Sequence, residues 1–189
     1  MLAPAVRLTS LTLVVVAFVG CASEQIQPSP SSAPLTVGEL TSMDGRIHDV
    51  DAALDRGETV ALIFWQTWCE SCETEAPRIS AAAADNAGTI RFLGVVPGRD
   101  AEVDAGEVRA VADTWGYATF PHVRDRDQGL CERLGVSATP TILVLGQSGE
   151  VLYRGHRAPK DWRALQGVEF DPQSDGGCEG GVCPLPTDD

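Results

Sequence analysis

A run of apolar residues that leads directly into two cysteines constrains the fold of this chain more than any other feature. Residues 59–66 read TVALIFWQ and carry no charge, the pattern of a strand buried on both faces of a sheet. Residues 70–86 are rich in helix formers, and Gly88 follows them as a stop signal. Cys69 and Cys72 therefore fall between a buried strand and a helix, where α/β proteins gather reactive groups.

The elements around this junction predict an α/β domain. A short strand at 46–50 and a brief helix at 51–58 precede it. After it we expect a strand at 89–96, helices at 101–116 and 127–135, a hairpin of strands at 141–146 and 151–155, and a closing helix at 158–167. The order of the elements predicts a central mixed sheet flanked by helices, with a parallel core and an antiparallel edge.

The N-terminal segment 1–20 is predicted to be a signal peptide. Its apolar part, 11–20, is shorter than the roughly 20 residues that span a bilayer and has the length of a signal-peptide core. Gly20 precedes Cys21, which resembles a bacterial lipoprotein box, and Cys21 is then the lipidated new N-terminus. The alternative is ordinary signal-peptide cleavage near Ala22, which leaves Cys21 without a role.

Two segments of low apolar content flank the predicted domain, which covers residues 35–170. Residues 21–34 are rich in Ser and Pro and predict a flexible tether, and residues 171–189 predict an acidic, Gly-rich tail. Cys178 and Cys183 lie in that tail, and in an exported protein they are expected to form a second disulfide. A sharper hypothesis is that they relay electrons to or from the first cysteine pair.

The spacing of Cys69 and Cys72 points to a pair that opens and closes. Residues three apart share one helical face, and the free N–H groups of a first helical turn favour a thiolate. Cys69 should be the more exposed nucleophile, and Cys72, one turn deeper, should resolve the mixed disulfide. A purely structural staple is disfavoured because a four-residue loop constrains little of the unfolded chain.

Metal and nucleic acid are disfavoured as ligands. Zinc needs further ligands, and His48, His122 and His156 are scattered singly, each predicted at the surface or in a loop. The chain has 27 Asp and Glu against 14 Lys and Arg, which argues against nucleic acid as a partner. Cys131 lies with two leucines in a predicted short helix and should be a buried, inert thiol.

The motif around the cysteines resembles the thioredoxin superfamily, and within it the TlpA/ResA-like extracytoplasmic thiol:disulfide oxidoreductases. The FWxxWCxxCxxExP pattern of that group is matched by Phe64, Trp65, Trp68, Cys69, Cys72, Glu75 and Pro77. The Thr139–Pro140 pair and the downstream GEVLYRG segment support the match. The resemblance implies a thioredoxin-like fold with a cis peptide bond before Pro140, facing the cysteines.

The resemblance also implies roles for residues beyond the cysteines. Glu75 is then a partly buried acid that accepts or shuttles the proton of Cys72, while Trp68, Thr139 and Pro140 line the groove that holds a partner protein. No cofactor is expected besides the redox-active disulfide. The implied partners are protein thiols and disulfides, with a membrane electron donor, and the location is extracytoplasmic, facing the periplasm on a lipid anchor. The reducing direction is usual in this group.

Three other functions fit the sequence less well. A peroxiredoxin would need Pro at the position of Leu62 and Thr or Ser at that of Gln66. A Sco-like copper chaperone would use cysteines one residue further apart and a distant histidine, for which His156 is a loose candidate. A scaffold lipoprotein with a vestigial site conflicts with the intact cysteine pair, Glu75 and the Thr–Pro pair.

Overall fold

The computed structural model describes residues 33–170 and has a five-stranded mixed sheet at its centre. The strands and helices are, in chain order, β1 Glu39–Thr41, β2 Ile47–Asp49, α1 Val50–Asp55, β3 Thr59–Phe64, α2 Glu70–Asp85, β4 Ile90–Pro97, α3 Ala105–Thr114, β5 His122–Asp125, α4 Gly129–Leu134, β6 Thr141–Leu145 and β7 Val151–Gly155. Short 3₁₀ turns occupy Tyr117–Thr119, Gln147–Gly149 and Arg163–Leu165. Most of the predicted leader, tether and tail, with Cys21, Cys178 and Cys183, lie outside the described residues.

The strand order is β5-β4-β3-β6-β7, which puts β3 at the centre of the sheet. Strands β3, β4 and β5 run parallel, while β6 is antiparallel to β3, and β7 is antiparallel to β6. All six residues of β3 are buried, because helices cover both faces of the sheet. The predicted α/β class, with a mixed sheet, a parallel core and an antiparallel edge, is confirmed.

Alternate side chains of β3 build the two halves of the core. Ile63 packs in the half that contains Ile79 of α2 and the two cysteines. Leu62 points to the other half, which contains Leu54 of α1 and Leu130 of α4. Helix α2, which begins at the cysteines, is thus fixed against one face of the sheet by its buried side. Within residues 33–170, none of the helices combines the length and the apolar character needed to cross a bilayer.

Two short strands were not predicted from the sequence. Strand β1 pairs antiparallel with β2 to form a separate two-stranded sheet, in which Leu40 lies opposite His48. Strand β5 pairs parallel with β4 and buries only Val123 and Asp125 of its four residues. Both strands are too short and too polar for a period-two pattern to stand out from the loops around them.

The closing helix predicted at 158–167 is wrong. This segment contains only the 3₁₀ turn Arg163–Leu165. Trp162 is buried, and the centroid of its ring lies 5.1 Å from that of Phe92. The backbone N–H of Gly167 donates to the carbonyl oxygen of Thr89. Contacts with distant residues therefore override the helical pattern of the segment.

Candidate active site

The two cysteines lie where the chain leaves the sheet for α2. The N–H of Trp65 donates to Val95 and extends the pairing of β3 with β4 by one residue. The N–H of Cys69 then donates to the carbonyl of Gln66 at 3.2 Å, which closes a turn. Cys69 is the N-cap of α2 and has an extended backbone, with φ −88° and ψ 100°.

Cys69 and Cys72 are joined as a disulfide, with the sulfurs 2.16 Å apart and the Cα atoms 5.2 Å apart. The backbone N–H of Cys72 donates to Sγ of Cys69 at 3.1 Å. Cys69 keeps 7% of its surface exposed and Cys72 none, the order of exposure expected from the spacing. The less buried of the two cysteines is therefore also the one whose sulfur receives a hydrogen bond from the first turn of the helix.

The electrostatic environment of Cys69 contains opposing contributions. The N-terminus of a helix favours negative charge, because its N–H groups and its dipole are positive there. Glu70 and Glu73, both exposed, place carboxylates in the same first turn. Their charges oppose a thiolate at Cys69, although solvent screens them.

Glu75 is buried one turn beyond Cys72, with 6% of its surface exposed. Its Oε1 accepts from Arg78 at 3.2 Å, and its Oε2 accepts the backbone N–H of Ala158 at 3.0 Å. Burial, and secondarily the charge of Glu75, raise the pKa of Tyr117 and of Tyr153. The carboxyl group therefore lies inside the protein, close to two tyrosines that remain protonated at neutral pH.

The peptide bond between Thr139 and Pro140 is cis, as the resemblance implied. Nδ1 of His156 lies 2.7 Å from the carbonyl oxygen of Pro140 and donates to it. Glu75, Thr139, Pro140 and His156 all line a cavity of about 400 Å³. The segment after β7 thus contacts the cis-proline loop through His156 and helix α2 through Ala158.

Trp68 is 74% exposed and lies apart from the buried Trp65. A second cavity of about 400 Å³ has Trp68 and Thr139 among its lining residues. Trp65 packs against Tyr117 and His122, with ring centroids 5.5 and 5.4 Å away, as a core residue behind the cysteines. Trp68 thus lies at the surface, whereas Trp65 packs inside the protein.

Two of the three histidines are not where the sequence placed them. His48 is 3% exposed and lies in β2, and His122 lies partly buried in β5 against the aromatic rings. Burial lowers the pKa of both. His156 is exposed and follows β7. Among residues 33–170, no group of three or more His, Cys, Asp and Glu side chains is placed to hold a metal ion.

Cys131 is buried on the other side of the sheet from the disulfide, in α4. Burial, followed by the contact with the Asp125 carboxylate, raises the pKa of the Cys131 thiol to about 12. Asp125 also accepts the backbone N–H of Cys131 at 2.9 Å. The structure therefore agrees with the prediction of a buried thiol.

Two residues near the site, Tyr153 and Ala158, had no signal of their own in the sequence, and His156 was a candidate only for a copper ligand. Tyr153, His156 and Ala158 come from the end of β7 and the loop that follows it. Ala158 reaches Glu75 across 83 positions, so no local spacing could show the contact. The GEVLYRG segment, which contains Tyr153, supports the resemblance but indicates no role for that tyrosine.

Comparisons with known proteins agree with this arrangement. The model of the family described as AhpC/TSA matches residues 33–154. The thioredoxin-like protein YneN of Bacillus subtilis is 32% identical over 96 residues, which are 51% of this chain and 55% of that protein. The thiol-disulfide oxidoreductase ResA of Geobacillus thermodenitrificans is 32% identical over 128 residues, 64% of this chain and 65% of that protein. The chain spans between 55% and 65% of the length of these two relatives.

The solved structures include a secreted disulfide oxidoreductase of Mycobacterium tuberculosis, homologous to DsbE of Escherichia coli. It is 25% identical, with a TM-score of 0.54, and the match covers 66% of this chain and 85% of that one. The predicted thioredoxin-like fold is confirmed by this similarity. The resemblance noted around the cysteines is confirmed by the relatives named above.

Proposed function

The chain belongs to the AhpC/TSA family, and we propose that it is a thiol:disulfide oxidoreductase that exchanges disulfides with partner proteins through Cys69 and Cys72. One observation carries the proposal. The sulfur of Cys69, the less buried cysteine of the pair, accepts a backbone N–H at the start of α2 while it is bonded to the sulfur of Cys72, one turn deeper. This arrangement favours a thiolate on the outer cysteine and keeps the inner one within reach.

The proposed reaction has two steps. The Cys69 thiolate attacks one sulfur of a partner's disulfide, and the other partner sulfur leaves as a thiolate. Cys72 then loses its proton and attacks Sγ of Cys69, which releases the second partner sulfur and forms the Cys69–Cys72 disulfide. Two electrons pass from this chain to the partner, and a membrane electron donor is proposed to return the oxidised pair to the dithiol.

Glu75 is proposed to accept the proton of Cys72. Cys72 is fully buried, so water cannot reach its thiol, and Glu75 is a buried carboxylate three residues further along the same helix. Residues three apart lie on one helical face. A positioned base of this kind typically contributes about 10²-fold or more to the rate of the step it serves.

Trp68, Thr139 and Pro140 are proposed to bind the partner. Trp68 offers an exposed aromatic face beside one cavity, and Pro140 lines the other. Thr139 lines both cavities, so an extended chain crossing the cysteines would pass it. No cofactor beyond the disulfide is required by this mechanism.

A peroxidase function is not favoured. Leu62 is fully buried in the centre of β3, and the amide Nε2 of Gln66 donates to the carbonyl of Pro97. Neither residue supplies the Pro or the hydroxyl that the peroxiredoxin pattern requires at these positions.

We further propose that the pair acts as a reductant outside the cytoplasm. A strong oxidant has a highly stabilised thiolate in its reduced form, and the carboxylates of Glu70 and Glu73 work against such stabilisation. The lipoprotein-like segment before Cys21 and the secreted relative support an exported protein held on a lipid anchor. A disulfide between Cys178 and Cys183 remains part of this proposal.

Trapping of a mixed disulfide tests the function. Cys72→Ala leaves Cys69 able to attack a partner but unable to be released, so the variant should accumulate covalent complexes that dithiothreitol dissolves. Cys69→Ala is the matched control and should trap nothing. The proposal fails if Cys72→Ala captures no disulfide-containing protein while its Cys69 is still alkylated readily.

A further inference from the structure

One peptide group links β7 to the buried carboxylate of the site. The hydroxyl of Tyr153 donates to the carbonyl oxygen of Arg157 at 2.7 Å. The N–H of the same peptide group belongs to Ala158 and donates to Oε2 of Glu75 at 3.0 Å. Tyr153 and Glu75 are thus hydrogen-bonded to opposite ends of a single amide.

We propose that Tyr153 is a positioning residue that acts through this amide to hold the Glu75 carboxylate in place to accept the proton of Cys72. The inference rests on the proposed function, because it assigns a residue to the base of that reaction. Tyr153 itself touches neither cysteine nor partner in this proposal.

The physical basis is the mutual polarisation of linked hydrogen bonds. A donor on a carbonyl oxygen draws electron density from the amide and makes its N–H a stronger donor. A stronger donor favours a charged carboxylate over a neutral carboxyl group. Burial and the charge of Glu75 raise the pKa of Tyr153, so its hydroxyl remains a donor throughout the working pH range.

The fold makes room for the tyrosine at this place. Tyr153 pairs with Val144 in the sheet, which fixes its backbone. Its hydroxyl lies over Gly155, where a Cβ atom would overlap the phenol oxygen. Glycine at 155 is therefore required for the hydroxyl to reach the carbonyl of Arg157.

Other groups also face Glu75 and limit the expected effect. Arg78, on the same helix, bonds to Oε1, and Tyr117 approaches from the turn after α3. His156 and Arg157 line the same cavity as Glu75. Because Arg78 keeps its contact when the Tyr153 hydroxyl is removed, we expect a shift of the pH profile rather than loss of the reaction.

The test uses Tyr153→Phe, which removes only the hydroxyl. The full chain is reduced, mixed rapidly with oxidised glutathione, and the rate at which Cys72 displaces glutathione from Cys69 is followed against pH. The acid limb of the rate profile should shift to higher pH by about half a pH unit, which is a roughly threefold loss of rate on that limb. The rate at high pH should change little. In a Glu75→Gln background, Tyr153→Phe should have no further effect on the profile.

Tyr117→Phe is the matched control. Its hydroxyl is also buried near Glu75, but it has no hydrogen-bond partner within residues 33–170. We expect this variant to keep the wild-type profile. If Tyr153→Phe does not fold, Gly155→Ala, which displaces the tyrosine ring, should produce the same shift.

The outcomes separate the inference from the proposed function. An unchanged profile in Tyr153→Phe, or an equal loss at every pH, overturns the role of Tyr153 while the exchange reaction stands. If Glu75→Gln keeps the wild-type profile, the proposed base is wrong. If the reduced chain does not react with the disulfide at all, the oxidoreductase function itself fails.

Discussion

The N–H of Cys72 donates to Sγ of Cys69 at 3.1 Å, so the proposed nucleophile is also the N-cap of its own helix. Ser, Thr, Asp and Asn usually occupy this position because their oxygen accepts an N–H of the first turn. Here a sulfur takes that role. The helix start and the reactivity of the site therefore depend on the same atom.

This capping role predicts a difference in stability between two variants that both lack the disulfide. Cys69→Ser with Cys72→Ala retains a capping oxygen, whereas Cys69→Ala with Cys72→Ala has none. We expect the second to lose about 1 kcal/mol of unfolding free energy relative to the first, measured by urea denaturation. Equal stabilities would show that a side-chain acceptor at position 69 does not stabilise the start of the helix.

The buried thiol of Cys131 should not react in the folded protein. Its pKa is raised to about 12, so at about pH 8 the thiol is almost entirely protonated and therefore a poor nucleophile. After reduction, iodoacetamide should label Cys69 while Cys131 stays unmodified, as peptide mass spectrometry would show. Unfolding the chain in urea should make Cys131 reactive, and labelling of Cys131 in the native state would contradict the structure.

His122 should weaken the fold in acid. Nε2 donates to the carbonyl of Tyr117 at 3.0 Å, and Nδ1 faces the indole N–H of Trp65 at 3.4 Å, so the ring is held neutral. Burial lowers its pKa from the ordinary 6.5, and the unfolded chain therefore binds the proton more readily. Its contribution to stability is present above about pH 6.5 and is lost as the pH falls below that value.

The measurement is unfolding free energy against pH for the wild type and His122→Gln. Below the pKa that His122 has in the unfolded chain, this group should lower the unfolding free energy of the wild type by up to about 1.4 kcal/mol per pH unit. His122→Gln should be less stable at neutral pH but show a shallower decline in acid. His48, whose pKa is also lowered by burial, remains in both proteins and supplies the residual slope. Parallel curves for the two proteins would show that His122 does not cause the loss of stability in acid.

The sequence was most informative where a pattern is local and long. Apolar content predicts the six buried residues of β3, and helix propensity predicts the sixteen residues of α2. Together they place the cysteines at the junction of the two elements. The cis bond before Pro140 was expected only through the resemblance. Nothing in the local chemistry of the sequence distinguishes it from an ordinary proline.

The surroundings of Glu75 could not be predicted because they depend on tertiary contacts. Ala158 lies in a segment whose spacing predicts a helix, but its N–H bonds to a side chain instead. His122 is partly buried because the four-residue strand β5 packs against aromatic rings from distant parts of the sequence, such as that of Trp65. Such contacts appear only once the sheet order is known.

The central claim is that Cys69 and Cys72 form a reversible two-electron couple, and an equilibrium redox titration tests it most directly. The full chain is equilibrated in glutathione and dithiothreitol buffers of graded ratio, and the oxidised fraction of the pair is read by alkylation and mass spectrometry. We predict one transition, in which the ratio of oxidised to reduced pair changes tenfold for about every 30 mV. Its midpoint should lie well below the potential of about −120 mV of the strong oxidant DsbA. A pair that stays oxidised or stays reduced across the whole range would contradict the account.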